Sequence, residues 1–167
     1  MSIPALRQPN LTKKDHEKTP FKLIPDKRDF FIVTLKGGKK LVVSSDAYHG
    51  ILTAGGFYRC VFCESEMVLD ILCKERHKSS QNHRKILENY PHVEEYKENL
   101  IRKITASTNY CTVCNVIVLS HFLQKHVLAE AHIKELNKAL TRAESYKERI
   151  SQSDEYPPLS NYNKNKI

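Results

Sequence analysis

Four side chains able to grip a single ion recur twice in this chain. The first set reads Cys60-x2-Cys63-x13-His77-x5-His83 and the second Cys111-x2-Cys114-x11-His126-x5-His132. Two thiols on a turn, followed about a dozen residues later by two imidazoles on a helix, supply the soft and borderline ligands that tetrahedral zinc prefers. A lone Cys-x2-Cys also occurs as a redox pair or as two core cysteines, and a lone histidine is more often a surface or core residue. Duplication decides between these readings. Four of the five cysteines and four of the eight histidines fall into one arrangement repeated at an offset of about 50 residues, which core packing explains poorly. Two zinc ions are therefore expected as cofactors.

Composition agrees with small metal-closed units. With 167 residues, 28% of them charged, 40% hydrophobic and no Trp, the chain is too polar for one large core. Structural zinc binds such peptides with an apparent free energy of roughly 10–16 kcal/mol, coupled to their folding, so both units are expected to be largely unfolded without metal. Two cysteines and two histidines close the coordination shell, whereas zinc catalysis needs an open position, and no other nucleophile and base stand out; no enzyme is expected. Residues 1–10 hold no apolar stretch of signal-peptide length, and no segment approaches the ~20 apolar residues of a membrane span. The expected address is intracellular, nuclear ahead of cytoplasmic, where reduced thiols favour metal over disulfides.

Along the chain, Pro4, Pro9, Pro20 and Pro25 make residues 1–28 a flexible arm, basic through Lys13, Lys14, Lys18, Lys22, Lys27 and Arg28. Residues 29–56 read as a β-hairpin around Gly37-Gly38 plus a short helix, capped by Ser44 or Ser45 and running to about Leu52. The first metal unit is placed at 57–90 and the second, with an extended helix, at 109–150. Between them, Val93, Tyr96, Leu100 and Ile104 recur at helical spacing, so residues 91–108 are expected to be a helical linker. That separation argues against contiguous base-by-base reading of DNA; the units act as separate contacts or dock on one another. Beyond His132 an apolar stripe of Ile133, Leu136, Leu140, Ala143 and Ile150 continues the helix, for packing within the chain in preference to a coiled coil. Residues 151–167 are expected to be a disordered tail. The overall class is thus α+β, zinc-stapled, with two metal-closed units, an N-terminal hairpin and helix, and long helical spacers.

Within each unit, Leu69, Cys73 and His77 match Val118, Phe122 and His126 at i, i+4 and i+8, which places Cys73 where the other unit has Phe122. Cys73 is therefore read as a small core residue. A Cys60, Cys63, Cys73, His77 site is the alternative, and it would leave His83 unused.

The ligand pattern resembles the Cys-Cys-His-His zinc finger of the matrin and double-stranded-RNA-binding subtype, marked by five residues between its histidines. Tyr110 before the first cysteine, Val113 before the second and the stretch His126-Val127-Leu128-Ala129-Glu130-Ala131-His132 carry the likeness most closely. The resemblance covers under a third of the chain. It implies a ββα finger whose helix runs through both histidines, and a nuclear protein of a kind that often binds structured RNA, DNA or proteins. Double-stranded RNA is recognised by shape, phosphates and 2′-hydroxyls, so basic residues near the helix ends would make the contacts.

Charge gives qualified support to nucleic acid. The net charge is +8, but residues 60–90 hold five Lys or Arg against five Asp or Glu. In the first unit Lys74, Arg76, Lys78, Arg84 and Lys85 surround the histidines, an edge able to contact phosphates; in the second only Lys125, Lys134 and Lys138 lie nearby. Nucleic acid, RNA ahead of DNA, is the expected partner of a monomeric chain. The alternative is a protein-interaction scaffold that binds a partner in a nuclear complex through its fingers and helices.

Overall fold

The computed structural model describes residues 30–153. The basic arm expected over residues 1–28 lies outside the described residues, as does the expected tail beyond residue 153. Within them the chain is a small α+β protein with three antiparallel sheets and two metal-capable clusters.

Phe30–Thr34 (β1) and Lys40–Ser44 (β2) form the expected hairpin, Phe30 opposite Ser44 and Thr34 opposite Lys40. Ser45–His49 (α1) follows, capped by Ser44, whose Oγ accepts from the Ala47 N–H at 3.5 Å. This helix stops short of Leu52, a correction to the sequence reading. Gly50, at φ +71°, ends it in a left-handed cap and sends the chain out as a strand. A Cβ at Gly50 would lie 2.3 Å from the Phe62 ring, so glycine serves both the turn and the close approach.

Ile51–Ala54 (β3), Phe57–Cys60 (β4) and Ser65–Val68 (β5) pair in the order β3-β4-β5. Ile101–Lys103 (β6), Thr108–Cys111 (β7) and Val116–Leu119 (β8) repeat that sheet. Each metal-capable unit therefore has one strand more than the two expected. The repeat is also longer than the ligand pattern. Ile51 opposes Cys60 as Ile101 opposes Cys111, and Gly50 and Leu100 both turn left-handed just before. Their carbonyls accept from Val61 N–H and Thr112 N–H, each at 3.0 Å. After the second cysteine, Glu64 and Asn115 share φ 54°.

The linker over residues 91–108 is not helical. It holds a 3-10 turn, Glu94–Asn99, broken at Lys97 (φ 47°, ψ −122°), and then β6. The helical spacing of Val93, Tyr96, Leu100 and Ile104 loses to strand pairing because Leu100, Ile101 and Arg102 are all buried in succession, which one face of a helix cannot do.

The helix through the histidines is also broken, in both repeats. In the first, Ile71–Ser79 (α2) carries His77 and Gln81–Glu88 (α3) carries His83. Ser80 between them is extended and serves both: its Oγ donates to the His77 carbonyl at 2.8 Å and accepts from the His83 N–H at 3.2 Å. In the second, Leu123–Val127 (α4) carries His126 and Glu130–Ser153 (α5) carries His132. Six steps of about 100° along one straight helix would set the two rings roughly 240° apart; the break brings them together. The stripe Leu69, Cys73, His77 is accordingly not helical throughout. Leu69 precedes α2, and Val118 lies on β8.

The two repeats dock on one another. Tyr110, fully buried, packs with Ile51, Phe62 and Leu87 of the first repeat, and its hydroxyl sits between the Ala47 carbonyl and the Asn115 amide oxygen. Asn115 Nδ2 donates to the Ile51 carbonyl at 3.1 Å. Helix α5 turns Leu136 and Ala139 onto Val33, Leu41 and Val43 of the hairpin, the packing within the chain favoured from sequence. Arg142 ties the pair further by donating to the Val42 carbonyl at 3.1 Å. Burying one such aliphatic side chain contributes about 1.5–3 kcal/mol, so helix and hairpin stabilise each other.

Candidate metal centres

In each repeat the tight turn between the second and third strands presents both thiols, and the helix break aims both imidazoles at them. Cys60, Cys63, His77 and His83 each offer one ligand atom, all within 4.8 Å of one another, and so do Cys111, Cys114, His126 and His132. His83 Nδ1 lies 3.6 Å from Cys60 Sγ and 3.3 Å from Cys63 Sγ. His132 Nδ1 lies 3.5 Å from Cys111 Sγ and 3.3 Å from Cys114 Sγ. The first histidine of each set presents Nε2 instead: His77 Nε2 and His126 Nε2 are buried without a hydrogen-bond partner. Two nitrogens orphaned at matching places fit a site built around an ion, because a buried polar atom is otherwise paired. Both clusters can hold a metal ion.

Two residues that the sequence reading missed fix the second histidine's other nitrogen. His83 Nε2 bonds His49 Nδ1 at 2.9 Å, and His132 Nε2 bonds Asn99 Oδ1 at 2.8 Å. Such partners set the tautomer and the ring orientation of a ligating imidazole. His49 and Asn99 stand immediately before the left-handed Gly50 and Leu100, the same step of the repeat. Aligning the chain on Ile51 and Ile101 would have shown them; aligning it on the ligands alone does not.

Burial keeps the imidazoles of the first centre in the neutral form that can ligate a metal. Burial, with the positive charges of His77, Arg102 and Lys78 around it, lowers His83 to about 4, so its ring is neutral and its lone pair free. Burial lowers His77 too. Burial and the adjacent Cys60 push the Cys63 thiol up to about 12, since a second thiolate is unfavourable without a compensating charge. In the other cluster the hydrogen bond between the thiols raises Cys111 and lowers Cys114 to about 4, with His132 helping. With a dication bound, this opposition would be removed and both thiols of each cluster would serve as thiolate ligands. Cys73 is half-buried against the Ile51 and Phe62 core and stands outside the four-ligand set. Phe122, its supposed counterpart, is 51% exposed.

The basic residues divide into two groups. Lys74 and Lys78 each bond an Asp46 oxygen at 2.8 Å, and Lys78, only 5% exposed, also reaches Glu75 at 2.7 Å. Both tie α1 to α2, so their ammonium groups already have carboxylate partners. Lys138 pairs with Glu135 at 2.7 Å on the surface. Arg76, Arg84, Lys85, Lys125 and Lys134 are exposed, and none is in an ion pair among the described residues.

Fold and site together define a small α+β protein built on a tandem repeat, each copy closed by a Cys2His2 cluster able to bind metal. Comparison of the chain with protein-family models, curated proteins and solved structures finds no match. Among the described residues no helix is long and apolar enough to cross a membrane.

Proposed function

We propose that this chain is a nuclear, zinc-dependent nucleic-acid-binding protein that contacts structured or double-stranded RNA ahead of DNA. Zinc suits a closed set of two thiolates and two imidazoles, and its part here is to staple each repeat rather than to catalyse. The observation that carries the nucleic-acid reading is a repeat of cations that make no ion pair among the described residues. Arg76 and Lys125 directly precede the first histidine of each set, and Lys85 and Lys134 stand two places after the second. All four are exposed. Paired cations at matching places on a rigid tandem frame suit a regular phosphate backbone, and Arg84 adds to the first set. The likeness to the matrin and double-stranded-RNA-binding finger points the same way.

A second reading rests on a different observation. Val68 and Leu119, equivalent positions at the ends of β5 and β8, are 68% and 44% exposed, and Leu69, Ile71, Leu72, Ile117 and Phe122 extend the two apolar stretches. Exposed apolar stretches of this kind mark protein contacts, which favours a scaffold in a nuclear complex.

Titrating the zinc-loaded protein against duplex RNA, single-stranded RNA and duplex DNA at several salt concentrations separates the readings. The proposal expects duplex binding whose logarithmic salt slope drops by about two units when Arg76 and Lys125 are both changed to Gln, near one unit for each phosphate no longer neutralised. Weak binding with no preference, insensitive to that double change, leaves the scaffold.

A further inference from the structure

An open cleft of about 670 Å³ lies between the hairpin, α1, the first repeat's helices and the segment leading into β6. Its floor carries an unusual charge. Arg102 is 3% exposed and makes no ion pair among the described residues. Two of its amino groups donate to the carbonyls of Tyr90 at 2.6 Å and Tyr48 at 3.3 Å, while its Nε–H is buried and has no partner. The Tyr48 ring lies 4.9 Å from the guanidinium. Carbonyls and an aromatic face solvate a buried cation in part; the missing component is an anion.

The surrounding wall has the same character. Arg84 lines the cleft, exposed and without a carboxylate partner among the described residues, and His49 and His92 line it too. Each imidazole has one nitrogen committed, His49 Nδ1 to His83 and His92 Nε2 to Thr112 at 2.9 Å, which leaves one nitrogen apiece. Burial and the Arg102 charge hold His92 down to about 3. When His83 ligates metal through Nδ1 its proton sits on Nε2, His49 accepts it at Nδ1, and His49 becomes a donor through its own Nε2. Lys78, also on the wall, is already committed to Asp46 and Glu75. Glu88 is the opposing group, a carboxylate on the cleft wall with no ion pair among the described residues.

We propose that this cleft is a binding site for a phosphate monoester attached to a nucleoside, its phosphate held by Arg102 and Arg84. A guanidinium fork matches phosphate oxygens, and the space exceeds what a bare oxyanion fills. Phe31 and Tyr48, stacked with centroids 3.6 Å apart on the wall, give the nucleoside an apolar surface. The phosphate has two sources, a free nucleotide or the 5′ end of a strand; the second rests on the nucleic-acid reading above, and the first does not.

The test uses the zinc-loaded full chain, with calorimetric titration of inorganic phosphate, AMP, and one short RNA carrying either a 5′-phosphate or a 5′-hydroxyl. Saturable binding of AMP or the 5′-phosphorylated strand is expected, weakened about tenfold by Arg84→Gln and tightened by Glu88→Gln. Both residues are exposed, so both variants are expected to keep two zinc ions and the parent circular dichroism. Preference for the phosphorylated strand over AMP assigns the strand end, and equal affinity assigns the free nucleotide. No saturable binding of any phosphate at millimolar concentration overturns the proposal, as does affinity unchanged in both variants. Duplex binding through Arg76 and Lys125 is measured separately, so failure of one reading does not carry the other with it.

Discussion

Replacing Asn99 with Ala strips His132 of the oxygen that holds its outer nitrogen. His132 is fully buried and its outer nitrogen bonds Oδ1 at 2.8 Å, so the truncation is expected to leave its Nε2–H without a protein partner. A buried donor without a partner costs about 1–3 kcal/mol, which converts to roughly 5–150-fold in metal affinity if the loss falls on the loaded state. Outer partners of metal ligands generally contribute about 10–100-fold, an independent figure within the same range. The expected loss is therefore about 10–100-fold, confined to the second centre. The first is an internal control, because His83 is held by His49. Asn99→Asp keeps an acceptor at the same place and is expected to restore affinity. Chelator competition on the two-zinc protein reads both sites, and cobalt substitution gives each a visible absorption. Unchanged affinity of the second centre would refute the reasoning, and equal weakening of both centres would assign Asn99 to general stability instead.

Four further outcomes follow from the geometry. Asp46→Asn leaves the buried Lys78 ammonium with Glu75 as its remaining carboxylate, and is expected to destabilise the chain by about 2 kcal/mol in urea denaturation, less than a fully buried pair because Asp46 is partly exposed. Gly50→Ala combines a left-handed backbone with a clash against Phe62, for a loss of about 2–4 kcal/mol; a change under 0.5 kcal/mol by the same assay contradicts the cap. Cys73→Ser is expected to keep two zinc equivalents by elemental analysis, whereas loss of one would restore the Cys60, Cys63, Cys73, His77 set. Acid is expected to weaken the fold. His49 and His83 at about 4 and His92 at about 3 all lie below their ordinary 6.5, for burial above all, so the unfolded chain takes up more protons in that window. Stability should then fall as pH drops from about 6.5 toward 3, and a denaturation midpoint flat from pH 7 to 4 would contradict it.

The ligands were legible because coordination chemistry restricts both residue type and spacing, and a duplicated pattern excludes most accidents. The hairpin was legible for a similar reason: two β-branched and aromatic runs flank a Gly-Gly turn. The third strand of each repeat was not, because Ile51–Ala54 is short and Leu100 falls into a helical stripe with Val93, Tyr96 and Ile104, while the sequence does not show that Leu100, Ile101 and Arg102 are buried in succession. Lys74 and Lys78 looked like surface cations because the sequence does not show that Asp46, about 30 residues earlier, folds against them. The helix break was implicit in the five-residue gap between histidines, since a straight helix cannot aim both rings at one point. Only the pairing of helix end, left-handed residue and strand revealed that the repeat begins at His49 and Asn99.

Tyr110, Asn115 and Arg102 all reach from the second repeat into the first. Tandem modules on a loose tether behave as beads, each free to find its own contact and to follow a curved track. These two behave as the jaws of a caliper locked at one opening. On the reading proposed above, a partner gripped by both is measured by the distance between its two points of contact, so a ligand of the right chemistry but the wrong spacing would engage one jaw and miss the other.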